Sequence, residues 1–378
     1  MTAKASWYAS ELRRELGLRN RRWARGRAHV ESYGNPPVMV YAPEYPTDED
    51  LSLHPKEQKR LLGDPDVGTP PHPTDEDLSV GTPPEEGRHG NFFDAAYAAI
   101  AGRPEWMRRL DKIHAQGRAL PKAESGRRWR ELDSSMSSDA LLMNVFCAPG
   151  VAEAPAVRRT LGVDGEDTPV FGWRARVPLA SGRLDRTEVD MRWGSLLVEA
   201  KLTEGDFQTR AAGVVEGYRD FDAVFERELL PRVELRTARR RTAVEFAEEF
   251  TQEWEDAADD ADEAREFQTG IVARAREAES AEAGYAGYQL IRNVLAAYAE
   301  GCSFCVIHDA RRPDLREAWF GVMAAVKSVE MRGRLKVLTW QELAGSLPEG
   351  LQEFLDMKYG IVRAGRVASG VGRAEFLY

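Results

Sequence analysis

The stretch TEVDMRWGSLLVEAKL, residues 187–202, constrains this chain more than any other. Two short apolar runs meet at a Gly turn, the pattern of a β-hairpin. Asp190 interrupts the first run; Glu199 and Lys201 interrupt the second. Strand side chains alternate between faces, so Glu188, Asp190 and Arg192 share one face, as do Glu199 and Lys201. Folding at Trp193-Gly194 lets Asp190 and Glu199 converge. Two adjacent carboxylates repel, and one takes up a proton unless a cation lies between them. Mg²⁺, with Mn²⁺ as substitute, suits carboxylate oxygens and water. Lys201 would then orient a water or stabilise charge on a phosphate. The alternative is a salt-bridged pair on the exposed face of a hairpin.

The chain prefers arginine strongly, with 43 Arg against nine Lys, so a generic cation here would be Arg. Lys201 is the compact point charge that water-activating chemistry uses. Removing its ammonium is therefore expected to affect chemistry and to leave folding largely intact.

At 378 residues the chain has room for one large core or two smaller ones. Its apolar runs are far short of a membrane span, and the first residues, MTAKASWYASELRRELG, carry no apolar signal core. The expected location is the cytoplasm. The three cysteines, Cys147, Cys302 and Cys305, fit a reducing compartment and are too few for a disulfide scaffold. Cys302 and Cys305 fall in a strand, where i and i+3 face opposite ways, so they read as packing.

Charge divides the chain into segments. Residues 1–39 form a basic segment with a helix candidate, SELRRELGLRNRRWARGR. Residues 40–90 are Pro-rich, with a net charge of −8, and carry a local duplication: PTDEDLS at 46–52 and 73–79, VGTPP at 67–71 and 80–84. They read as an acidic linker. Residues 245–283 carry a net charge of −11 and read as an acidic helical insertion. The remainder is basic, at +9, which suits a phosphate-rich partner. The acidic insertion offers a surface for a protein partner or a mask for a basic groove. The main domain is expected over 91–360, with a tail at 361–378.

Periodicity predicts helices from Phe92 to about His114 with a break at GRP, and a helix capped at Ser137 or Ser138. Strands follow at TPVFGWRARVPL, RTEVDMRW and SLLVEAKL, and then a helical region from about Asp206 to Leu230. AGYQLIRNVLAAYAEG is an amphipathic helix with Leu290, Ile291, Val294, Leu295 and Tyr298 on one face. CSFCVIHDA and RLKVLTW are strands, followed by helices at QELAGSL and EGLQEFLDMKYG. This order gives an α/β fold whose mixed sheet has an antiparallel hairpin and parallel strands reached by crossovers.

Asp190 followed by Glu199-Ala200-Lys201 on the next strand resembles the PD-(D/E)XK nuclease superfamily, in a bacterial branch. The resemblance covers roughly residues 125–345, and Val189 stands where the strict motif has proline. It implies a restriction-endonuclease-like core: a mixed central sheet flanked by helices, here with an N-terminal helical and linker region. It also implies a Mg²⁺-dependent nuclease acting on nucleic acid, most simply DNA. By motif position, Asp190, Glu199 and the Ala200 carbonyl would bind metal, and Lys201 would act on the attacking water. In this fold the first helix can lend another carboxylate; Glu131 is chosen, while Asp139 reads as a complement to the helix dipole. Gln289 on the following helix is a further catalytic candidate. Arg292 and Asn293 on that helix, with Arg311 and Arg312 after the buried strand, are candidates for nucleic-acid contact. The alternative is an inactive nucleic-acid-binding or interaction module on the same fold. No P-loop or Gly-rich cofactor loop is present.

Overall fold

The computed structural model describes residues 3–27, 29–32, 37–41, 89–113, 130–165, 167–235 and 283–363. Most of the expected 40–90 linker, the 245–283 insertion and the 361–378 tail therefore lie outside the described residues.

The basic N-terminal segment contains helix α1 (Ala3–Trp23) and strand β1 (His29–Glu31), which pairs with β2 (Met39–Tyr41), a strand that runs two residues into the expected linker. The expected helical region is two helices, α2 (Asp94–Ala101) and α3 (Pro104–Leu110), broken where Pro104 starts the second. Helix α4 (Ser138–Phe146) is capped by Ser137, whose Oγ accepts the Ala140 N–H at 3.1 Å. Helix α5 (Pro155–Leu161) leads into β3 (Val170–Arg174), then β4 (Val177–Pro178), β5 (Leu184–Asp185), β6 (Glu188–Trp193) and β7 (Leu196–Ala200). Gly194, at φ +58°, makes the tight β6–β7 turn that a side-chain-bearing residue would resist.

The region 206–230 is not the helix its pattern predicts. It forms β8 (Thr209–Ala211), two single helical turns at 212–215 and 221–224, and a 3₁₀ turn at Arg227–Leu229. Strand β9 (Arg232–Glu234) and strand β10 (Ala283–Ala286) complete a second sheet, ordered β8-β10-β9. The strand that pairs with β8 lies beyond the acidic stretch, so no local pattern announces it. Gly213 and Gly217 weaken the competing helix.

Helix α6 (Tyr288–Glu300), β11 (Ser303–His308), α7 (Pro313–Ala324), β12 (Leu335–Thr339), α8 (Trp340–Ala344) and α9 (Glu349–Tyr359) follow. The central sheet has the order β12-β11-β7-β6-β3. β11 runs parallel to β7 and β12, while β6 is antiparallel to β7 and β3. This is the mixed sheet the sequence predicts. One face buries Val198, Ala200 and Cys305 against α4 and α9; the other buries Leu197, Val306 and Cys302 beneath α6 and α7. The two cysteines thus go to opposite faces, both reduced. No described helix is long and apolar enough to cross a membrane.

Candidate active site

The hairpin register pairs Met191 with Val198 and Arg192 with Leu197. The next rung sets Asp190 against Glu199. Glu199 is 2 % and Lys201 5 % exposed, so the exposed-hairpin alternative does not hold for them. Asp190 Oδ2 accepts the Ala200 N–H at 2.8 Å. The N–H and C=O of one strand residue point the same way, which turns the Ala200 carbonyl toward Asp190. Lys201 Nζ lies 2.6 Å from Glu199 Oε1, and Asn293 Nδ2 donates to Glu199 Oε2 at 2.8 Å. Asn293 is held in turn by Arg292, which donates to Asn293 Oδ1 at 2.7 Å and to the Glu188 carbonyl at 2.6 Å.

Burial, then the negative charges of Glu199 and Asp139, push the Asp190 carboxyl well above the usual carboxylate range. Burial works against charge on Lys201, but Glu199 and Asp190 outweigh it and hold the ammonium above the ordinary lysine range. Lys201 thus pairs with Glu199, and the Asp190 carboxyl beside them favours its proton unless further positive charge is brought in.

A second group of charges adjoins Asp190. Asp139, in the first turn of α4, is paired with Arg109 at 2.8 Å and Lys112 at 2.9 Å. Lys112 also reaches Glu131 at 3.1 Å, and Arg109 reaches Glu188 at 2.8 Å. Although burial opposes it, Arg109 and Lys112 hold the Asp139 carboxyl below the usual range. Burial and Asp139 push Glu131 up. Gly172, at φ +65°, leaves room for this cluster: a Cβ there would come within 2.5 Å of Arg109 Nη1 and 2.8 Å of Glu188 Oε2.

The structure sorts the expected site residues. Asp190, Glu199, Ala200 and Lys201 are brought together. Glu131 stands one residue removed, joined to the group through Lys112, whereas the charge of Asp139 acts on Asp190 directly. Asn293 supplies the amide on Glu199, while Gln289 is half-buried one turn earlier. Arg292 and Asn293 are buried at 3 % and 0 % exposure, which turns them inward to the carboxylates and away from a solvent-borne phosphate. Arg312 is fully buried and donates to the carbonyls of Leu202, Glu204 and Gly205 and to Asp314, so phosphate contact is not its place. Arg311 is spent on Asp309 at 2.6 Å and Glu15 at 2.8 Å. All three arginines thus have protein acceptors: the Asn293 amide and a carbonyl for Arg292, carboxylates and carbonyls for Arg311 and Arg312.

Sequence reasoning missed Arg109 and Lys112, which sit at the end of a helix long before the hairpin and carry no motif. It also missed Glu204, which accepts from Ser138 Oγ at 2.5 Å and Leu202 N–H at 2.7 Å beside Lys201. Gln208 has φ +60° and uses its carbonyl to receive Gly287 N–H and Tyr288 N–H, joining the loop after β7 to the start of α6.

Among the described residues no three His, Cys, Asp or Glu side chains are gathered closely enough to hold a metal ion. The donor set Asp190, Glu199 and the Ala200 carbonyl nevertheless fits Mg²⁺, which takes one or two carboxylates and fills its shell with water and substrate oxygen.

A mixed sheet with a charged hairpin at its centre and helices on both faces is the core of a restriction-endonuclease-like protein. A family model described as restriction endonuclease associating with ARP matches residues 66–360, and the chain belongs to that family. No curated protein and no solved structure matches it.

Proposed function

We propose that the protein is a PD-(D/E)XK nuclease that hydrolyses phosphodiester bonds in DNA with Mg²⁺. The observation that carries this reading is the Asp190–Glu199 rung beside Lys201, with Glu199 and Lys201 paired in a buried place where apolar residues would cost less. Asp190, Glu199 and the Ala200 carbonyl would hold the cation, whose charge would offset that of the phosphoryl oxygens. Asn293 fixes the Glu199 carboxylate through Oε2, and Arg292 fixes which way the Asn293 amide faces. Lys201, released from Glu199 Oε1, would orient the attacking water and stabilise charge developing at phosphorus. Water gives up a proton to solvent as it forms the new P–O bond and the ester P–O bond breaks, and the leaving alkoxide takes up a proton from solvent, giving a phosphomonoester and an alcohol.

A second reading, a nucleic-acid-binding module without cleavage, is favoured by one observation: both Glu199 oxygens already hold protein donors. Incubation with linear, circular and single-stranded DNA in Mg²⁺, Mn²⁺ or EDTA separates the two. Metal-dependent products that disappear in Asp190→Ala support the nuclease; binding without products in either metal supports the module.

A further inference from the structure

The outward side of α1 is rich in arginine and stands beside the candidate site. Leu12 and Leu16 bury the inner side, and Asn20 accepts from Lys358 Nζ at 3.0 Å, so α1 is fixed to the body of the fold. Glu15 is tied to Arg311 at 2.8 Å. Arg311 follows the C-terminal end of β11, which runs parallel to β7, so this tie places α1 at the sheet edge where Lys201 lies. The neighbouring Arg312 clamps the loop after Lys201 through the carbonyls of Leu202 and Glu204. The Glu204 charge on that loop also acts on Arg13.

Helical spacing puts Arg13, Arg14 and Arg21 along one side of α1, Arg25 follows in the turn just beyond it, and all four are exposed. At 1.5 Å rise per residue, Arg13 and Arg21 are about 12 Å apart along the axis. The acids of α1, Glu11 and Glu15, are only half exposed. Arg14 pairs with Glu11, and Arg21 approaches Glu31 at 3.9 Å, the loose surface pairing that salt screens. A line of guanidinium groups that begins at the site and leads away from it matches the regular charge of a nucleic-acid backbone.

We infer that the arginine side of α1, with Arg25 in the turn that follows it, is a docking surface for the phosphate backbone of duplex DNA, extending the candidate site along the strand it cuts. This rests on the nuclease reading for its occupant, but binding tests it without cleavage. The triple variant Arg13→Gln/Arg21→Gln/Arg25→Gln and the control Arg159→Gln/Arg334→Gln, whose exchanged residues lie near the other end of β11 and β12, are titrated against a fluorescent mixed-sequence 30-base-pair duplex in EDTA. Salt is varied and folding is checked by melting temperature. The α1 variant is expected to bind at least tenfold more weakly, and its log K against log salt slope to shrink by about 3, roughly one per phosphate contact removed. The control should keep most of the affinity and slope. Equal losses in both variants, wild-type affinity and slope in the α1 variant, or no duplex binding by the wild type would each overturn the surface. Duplex binding that depends on α1, together with no cleavage in Mg²⁺ or Mn²⁺, would sink the nuclease reading and leave the surface standing.

Discussion

Arg312, after β11, and Lys201, after β7, are both buried cations at one edge of the central sheet, and their surroundings differ. Arg312 donates to three main-chain carbonyls and to both oxygens of Asp314. Its charge is balanced and the loop it clamps is closed. Lys201 has one carboxylate at hydrogen-bond distance, Glu199, and a second beside it, Asp190, whose carboxyl burial and repulsion push up. With both carboxyls ionised that cluster is under-neutralised. A balanced buried cluster is best explained by structure. An unbalanced one persists against its own cost and points to a ligand or a reaction.

The largest expected effect sharpens the Lys201 side. Lys201→Ala should lower the cleavage rate by about 10²–10³-fold, the usual loss for one electrostatic group, and Lys201→Arg should not restore it. The pairing with Glu199 revises the expectation that folding is untouched. Without the ammonium, buried Glu199 is left beside the half-buried Asp190 without its cation, so melting temperature should fall in EDTA and recover in saturating Mg²⁺. Parental cleavage in Lys201→Ala would make the cluster structural like its neighbour.

The next prediction concerns Arg312. Arg312→Ala should cost about 3–5 kcal/mol in urea unfolding, because it leaves three carbonyls and Asp314 unmatched in a buried place. A well-folded Arg312→Ala protein with selectively lost DNA binding would reverse the contrast between the two cations.

The Asp190 and Asp139 pair then tests the charge balance through pH. Asp139 has a lowered pKa in the folded state, so its stabilisation is present above its ordinary 3.8 and is lost as pH falls below it. Asp190 has a raised one, so its destabilisation grows as pH rises above 3.8. In EDTA at pH 7, Asp139→Asn should be less stable than the parent and Asp190→Asn more stable, with both differences shrinking toward pH 3. The same sign for the two variants in urea unfolding would refute the assignment.

The smallest effect is expected at Gln208. Gly relieves a left-handed backbone, so Gln208→Gly should change stability by no more than about 1 kcal/mol and leave cleavage near the parental rate. A collapse of cleavage there would put the Gln208 side chain in the chemistry.

Several elements were legible because their signals are local. The alternation of TEVDMRW and SLLVEAKL gave both strands and the facing of Asp190 and Glu199, and the Ser137 cap marked the start of α4. The buried polar side of α6 was not legible, because one helical stripe of Gln, Arg and Asn has the same pattern whether water or a carboxylate lies over it. The β8-β10-β9 sheet was hidden for a related reason: its partners are joined across the acidic stretch.

By itself, then, the sequence determined the mixed α/β order, the charged hairpin and the candidate trio Asp190, Glu199 and Lys201, since strand alternation and turn chemistry act between near neighbours. Tertiary structure alone decided that Asn293 steadies Glu199, that Arg109 and Lys112 gather around Asp139, and that Arg312 clamps a loop. Each of those contacts joins residues distant in the chain, and a cation's partner is set by which carboxylate or carbonyl the fold leaves unmatched beside it.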